Sequence, residues 1–236
     1  MQIDLEGAAI VTGAGRGIGA AIARRLAASG ASVALASRTP SEVEAVAASI
    51  REAGGAARAF RADVTDEAQV EALFAGAVEA FGPLRYLVNN AGNAPVGPTA
   101  DFSLADWQHC LGVNLTGAFL CSRQAFRTMP AAGGGAIVNV SSGAGKHGKA
   151  MWAAYCAAKS GLHGLARALA AEGTPLGIRV NTVCPGGTRT TLRASIFGEE
   201  PEGKILAPEQ VADAVLFLLS DAAADIRGAE LDVRKP

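Results

Sequence analysis

At 236 residues, 50% of them hydrophobic, the chain has the size and composition of one α/β domain with a substantial buried core. Its 21 basic and 22 acidic residues nearly cancel, to a net charge of −1, and the arginines form no basic block. That balance offers no field for nucleic acid or for an anionic membrane surface, and no apolar run approaches the roughly 18 residues of a membrane span. Cys110, Cys121, Cys156 and Cys184 show no CxxC spacing and no paired histidines, so reduced thiols and no metal site are expected. Met1-Gln2-Ile3-Asp4 leads straight into the first apolar run, so no signal peptide is expected and the expected location is the cytoplasm.

Short apolar runs alternate with helical patterns along the whole chain. Strands are predicted at Ala8–Thr12, Ser32–Ala36, Ala56–Ala62, Tyr86–Asn89, Ala136–Val140 and Arg179–Val183, with a short last one at Glu230–Val233. Helices are predicted at Ile18–Ala28, Pro40–Ala53, Glu67–Phe81, Leu104–Met129, Trp152–Glu172 and Glu209–Ser220. This alternation predicts a doubly wound parallel sheet with helices on both faces, one domain over 1–236, and ligands at the carboxyl ends of the strands.

The first strand runs into Thr12-Gly13-Ala14-Gly15-Arg16-Gly17-Ile18-Gly19, which opens the first helix. A glycine turn between strand and helix is the setting of a dinucleotide site. Gly13 permits the tight turn, Gly17 lets the backbone approach a pyrophosphate, and Gly19 permits close helix–strand packing, with the helix-start amides facing the phosphates. The second strand ends on Ser37-Arg38, where an NAD enzyme would place a carboxylate against the ribose 2′-hydroxyl. Arg16 and Arg38 with the Ser37 hydroxyl suit a 2′-phosphate, so NADP(H) is expected over NAD(H).

Further along, VSSGAGKHGKAMWAAYCAAK places Ser142, Tyr155 and Lys159 in the pattern S-x12-Y-x3-K. Tyr155 and Lys159 lie four apart on one helix face. An ammonium there should pull the phenol pKa down from about 10 and suit it to exchange a proton with an oxygen gaining or losing a hydride. Ser142 supplies a second hydroxyl to the same oxygen. The reading is a redox enzyme, with a non-catalytic NADP(H)-binding sensor as the alternative from another class.

With Thr12–Gly19, Asn89-Asn90-Ala91-Gly92, Asn114, Ser142, Tyr155, Lys159 and Pro185-Gly186 in order, the chain resembles the classical short-chain dehydrogenases/reductases from Gly7 to about Asp232. The resemblance implies a Rossmann-type fold with strand order 3-2-1-4-5-6-7, hydride transfer from a nicotinamide, and a homodimer or homotetramer built on the helices carrying Asn114 and Tyr155. It also implies that Asp63, beside Val64, meets the adenine. Asn90, Ala91 and Gly92 would steady the central strand and line the nicotinamide ribose, and Lys159 would reach the ribose hydroxyls. Pro185, Gly186, Thr188 and Thr190 would form the carboxamide loop, although the family usually has a β-branched aliphatic residue where Thr188 stands. Asn114 would hold a water in a proton relay to Lys159, with Tyr155 as general acid.

The expected substrate is a small carbonyl or alcohol: a ketone or 3-oxoacyl group, or a 3-hydroxy acid or sugar alcohol. It should sit between Gly143–Trp152, with Lys146, His147, Lys149, Met151 and Trp152 as lining, and a mobile lid over Leu192–Leu206 containing a short helix. Arg123 and Arg127 could offer a basic patch to an acyl carrier protein, though solvated helix charges are the simpler reading. The ending Glu230-Leu231-Asp232-Val233-Arg234-Lys235-Pro236 departs from the family's usual Asp-Gly-Gly and puts a longer C-terminal oligomer contact in doubt.

Overall fold

A computed structural model describes residues 3–201 and 203–235; Met1 and Gln2, Glu202 of the predicted lid, and Pro236 lie outside the described residues. Seven strands form one parallel sheet in the order 3-2-1-4-5-6-7: β1 (Gly7–Thr12), β2 (Ala31–Ser37), β3 (Ala57–Arg61), β4 (Leu84–Asn89), β5 (Gly135–Val140), β6 (Ile178–Pro185) and β7 (Glu230–Val233). A parallel sheet is covered on both faces, which is why its inner strands read as continuous apolar runs and not as alternating ones. All eight residues of β6 are buried.

Helices α1 (Gly17–Ala28), α2 (Pro40–Glu52), α3 (Glu67–Phe81), α4 (Leu104–Leu111), α5 (Gly117–Thr128), α6 (Ala153–Gly173), α7 (Thr191–Phe197) and α8 (Pro208–Leu219) complete the fold. The side-chain period of two along β1 divides them between the faces. Ala9 and Val11 pack with Leu26 of α1, Ile50 of α2 and Leu218 of α8. Ala8 and Ile10 pack with Phe74 of α3, Leu120 of α5 and Leu169 of α6. The order reverses between β1, which continues to β2, and β4, which continues to β5. At such a switch point the loops diverge and leave a crevice at the strand ends.

Most predicted elements stand within a residue or two of their expected bounds, and Glu67–Phe81 and Glu230–Val233 coincide. The predicted helix Leu104–Met129 does not run unbroken. A single π turn at Gly112–Thr116 separates α4 from α5. The physical cause lies in Asn114, whose Nδ2 donates to Cys110 O (3.0 Å) and to Asn93 O (2.9 Å) and Oδ1 (2.8 Å). The wide turn points this asparagine into the molecule, where it is buried. No helix among the described residues is long and apolar enough to cross a membrane.

Candidate active site

The glycine turn occupies the switch point. Gly13 has φ +64°, and a Cβ there would stand 2.9 Å from Ala91 Cα; a Cβ on Gly19 would stand 2.2 Å from Gly13 O. Only glycine therefore lets the turn lie against both β4 and α1. Helix α1 begins without a side-chain cap, since Arg16 is extended (φ −160°) and makes no capping bond. Its first amides are left for an anion, with the positive end of the helix dipole behind them.

Asn90 ties the turn to the next strand. Its Nδ2 donates to Thr12 O (2.9 Å) and Gly13 O (3.1 Å), while the amides of Asn90 and Ala91 donate to Thr12 Oγ1 (3.0 and 3.1 Å). From here a groove runs over the strand ends. It is lined by Gly13, Arg16, Gly17, Ile18 and Gly19, by Ser37 and Arg38, and by Asp63 and Val64. Asn90, Ala91, Gly92, Asn114, Tyr155, Lys159 and Thr190 also line it. Pro185, Gly186 and Thr188 line a second cavity of about 400 Å³, which shares Ile18, Ser141, Tyr155, Thr190 and Leu192 with the groove. Every cofactor residue expected from sequence thus lies on one of two cavities that meet at Tyr155.

Two details at the far end of the groove were not visible in the sequence. Glu42, on the first turn of α2, lines the groove and pairs with Arg16 Nη1 at 3.3 Å. Ser37 Oγ is engaged with the backbone of Thr39 (3.1 Å), whereas Arg38 is exposed. Asp63 lines the groove while its Oδ1 accepts from Thr65 N (3.0 Å) and Thr65 Oγ1 (2.8 Å), and Asp66 caps α3 by accepting from Gln69 N.

Where the cavities meet, the Ser142 and Tyr155 hydroxyls line the second cavity together, and Ser142 Oγ accepts from Ala144 N at 3.2 Å. Lys159 is buried, with its Nζ donating to Val140 O at 2.9 Å and standing 5.7 Å from the centre of the Tyr155 ring. The expected depression of the phenol pKa is not found. Burial pushes Tyr155 up to about 12, with the Ser142 hydrogen bond acting the other way, and burial pulls Lys159 down to about 8. In both groups the cost of placing charge in a dry site is the largest influence. Tyr155 is consequently a protonated donor across the neutral range. Asn114 Oδ1 is buried with no partner, 2.8 Å from where a Cβ on Gly92 would stand, and Lys159 Nζ is 3.7 Å from that same point.

In the second cavity His147, Lys149 and Trp152 are lining residues as expected, together with Leu192, Ile196 and Phe197 from the lid side. Lys146 and Met151 are not among them. Lys146 turns away to Asp232 Oδ1 at 3.0 Å, and Met151 holds a left-handed backbone (φ +68°) on the same loop. The short helix predicted in the lid is α7, capped by Thr190, whose Oγ1 accepts from Arg193 N at 3.1 Å. Arg193 pairs with Glu200 through both guanidinium branches, and the segment is pinned to the loop after β6 by a Thr188–Leu206 bridge. Trp152 stacks on Phe197 at 5.9 Å and meets Tyr155 edge-on at 5.4 Å. The helix arginines Arg123 and Arg127 pair with Glu67 and Glu71 and form no free basic patch. All four cysteines are free thiols.

A sheet of this order, a glycine turn at its switch point and a hydroxyl pair over a buried lysine define an oxidoreductase of CH–OH groups that uses a nicotinamide cofactor. The chain belongs to the short-chain dehydrogenase family, whose family model matches residues 7–201. It is 45% identical over 237 residues to cis-4-hydroxycyclohexanecarboxylate dehydrogenase of Sinomonas cyclohexanicum, covering 97% of this chain and 95% of that one. It is 41% identical over 232 residues to D-threitol dehydrogenase of Mycolicibacterium smegmatis, covering 94% and 89%. A crystal structure assigned to the short-chain alcohol dehydrogenases, from Sinorhizobium meliloti 1021, superposes with a TM-score of 0.93 at 39% identity over 98% of this chain and 96% of that one.

Proposed function

We propose that the chain is an NADP(H)-dependent oxidoreductase interconverting a small ketone and its secondary alcohol, with Ser142, Tyr155, Lys159 and Asn114 carrying the chemistry. The observation that carries the reading is the Ser142–Tyr155 hydroxyl pair at the junction of the two cavities, with buried Lys159 behind it. The groove residues suit the dinucleotide: the uncapped start of α1 receives the pyrophosphate, and Arg38 with Arg16 receives the 2′-phosphate. When bound, that cofactor supplies or accepts the hydride.

The residues of the chain supply the rest. In the reducing direction Ser142 donates a hydrogen bond to the carbonyl oxygen and polarises it. As the carbonyl carbon gains the hydride, the π pair moves onto oxygen, and Tyr155 delivers its proton to that oxygen. A phenol near 12 remains a far stronger acid than an alkoxide's conjugate alcohol, so the transfer runs downhill. Lys159 then faces the transient phenolate, and its ammonium balances that charge. Among the described residues Asn114 Oδ1 has no partner, and it lies near Lys159, where it can accept a hydrogen bond from a water that relays protons to the lysine.

On the substrate side, the similar proteins act on hydroxylated rings and polyols by name, which supports the alcohol–ketone reading. The paired state of Arg123 and Arg127 gives the 3-oxoacyl carrier-protein reading no support. Leu104 and Phe119 are exposed on α4 and α5, and these faces suit a homo-oligomer contact. The test is NADPH and NADH oxidation with a panel of ketones, oxo acids, 3-oxoacyl thioesters and sugars. Turnover of a ketone with NADPH supports the reading. Cofactor binding without turnover on any substrate would replace it with the NADP(H)-sensor reading.

A further inference from the structure

The second cavity has an uneven chemistry. One end holds the Ser142 and Tyr155 hydroxyls; the walls are apolar, from Ala94, Trp152, Leu192, Ile196 and Phe197. Among the described residues the charged side chains on its lining are Lys149 and Arg193, with no Asp or Glu. The two cations differ in what they already hold. Arg193 is committed to Glu200, with Nη2 at 2.8 Å from Oε1 and a second bond from Nε, so its fork is occupied. Lys149 makes no direct ion pair among the described residues, and its charge reaches Glu200 only at longer range while that carboxylate is bound by Arg193. Its Nζ lies 4.3 Å from the Trp152 ring centre and 4.3 Å from that of Phe197.

Two ring faces attract an ammonium, but they accept none of its three N–H bonds as a carboxylate would. They hold the cation in place and leave its hydrogens for an acceptor. We propose that Lys149 anchors a carboxylate of the substrate, so that the enzyme acts on hydroxy acids and oxo acids whose acid group is separated from the reacting carbon by an apolar skeleton. This rests on the oxidoreductase reading above and specifies its substrate class. One unpaired ammonium matches a single negative charge. A doubly charged phosphate would call for a free guanidinium fork, and the fork here is taken by Glu200.

The spacing limits the length of the skeleton. Trp152 stands 5.4 Å from the Tyr155 ring and 4.3 Å from Lys149 Nζ, and those two steps together bound the gap between phenol ring and ammonium. At about 1.5 Å per carbon–carbon bond, a six-membered ring or a chain of about five carbons falls within that limit. The walls, made of an indole, a benzyl group and branched aliphatics, accept such a skeleton without leaving a polar group unpaired.

The experiment compares 5-oxohexanoate and 4-oxocyclohexanecarboxylate, each beside its own carboxamide, with NADPH as reductant. The expected result is a kcat/KM about ten-fold higher for the acid than for the amide in at least one pair, set mainly by KM and shrinking as salt rises. Lys149→Met should reduce the acid's kcat/KM about ten-fold more than the amide's, and Lys149→Arg should keep most of the preference. Equal turnover of acid and amide by the native enzyme overturns the proposal. So does a Lys149→Met variant that slows both alike, which would make Lys149 only a clasp between loop and lid. If neutral ketones are reduced and neither acid is, the proposal fails while the oxidoreductase reading stands; if nothing is reduced although NADPH binds, it is that reading which fails.

Discussion

His163 Nε2 lies 2.7 Å from the hydroxyl of Ser141, the residue that precedes the proposed catalytic serine, and both side chains are buried. On its other side His163 Nδ1 stands 2.8 Å from Glu230 Oε2 on β7. The tautomer that satisfies both partners, assigned from the hydrogen bonds, carries the proton on Nδ1 and accepts from Ser141 at Nε2. The ring thus joins β5, α6 and the last strand directly behind the catalytic hydroxyls.

Replacing His163 with Leu is expected to cost about 2–3 kcal/mol, because Ser141 and Glu230 lose a buried partner together. Burial opposes ionisation of Glu230, but the hydrogen bond from His163 and the charges of Arg167 and Lys146 outweigh it and hold the carboxyl below its ordinary range. A depressed carboxyl adds stability above its unfolded pKa and loses it as pH falls through the lower folded value. Urea unfolding of native and variant protein at pH 7 and near pH 3.5 should show the gap narrowing in acid. A gap that is the same at both pH values would count against this account of Glu230.

Tyr155→Phe should lower kcat by at least about a thousand-fold and leave the NADPH dissociation constant within about three-fold. The phenol is the proton donor in this scheme and the ring remains in the variant. Single-turnover kinetics and a fluorescence titration give the two numbers. Substantial residual turnover would remove Tyr155 from the acid role.

Lys159 separates activity from stability. Burial holds it near 8 against an ordinary value of 10.5, so below about pH 8 the fold bears the full cost of a buried ammonium. That cost is relieved as pH rises from about 8 towards 10.5, since there the unfolded chain binds the proton and the folded one does not. Lys159→Met should therefore be inactive and about 1–3 kcal/mol more stable at pH 7, less the hydrogen bond to Val140 O, with the advantage fading by pH 10. Denaturant melts at pH 7 and pH 10 test both parts.

Cofactor choice turns on Arg38, Arg16 and Glu42. Arg38→Asp should shift the NADPH/NADH ratio of kcat/KM towards NADH by about ten-fold or more, through repulsion of the 2′-phosphate. Glu42→Gln should shift it the other way, because Arg16 is released from its 3.3 Å pair with Glu42. An unchanged ratio in the Arg38 variant would remove the NADP(H) assignment.

The sequence by itself determined the sheet and most of its helices, and it named residues that the fold brings together around the groove. Apolar strand runs and period-3.6 helix patterns are local, glycine turns declare their backbone geometry, and the Y-x3-K half of S-x12-Y-x3-K places its pair by helix spacing. The tertiary structure decided what depends on neighbours distant in the chain. Glu42 reaches Arg16 only because α2 folds back over the glycine turn, a separation of 26 residues. The π turn at Asn114 answers to Asn93, and no local propensity signals it. Lys146 leaves the substrate wall for Asp232, and His163 finds Ser141 and Glu230, through contacts that only the packed sheet creates. The reversal at Tyr155 has the same origin. Helix spacing placed an ammonium beside a phenol and implied a lowered pKa, but the dryness of the site is a property of the whole fold, and desolvation is what governs the phenol.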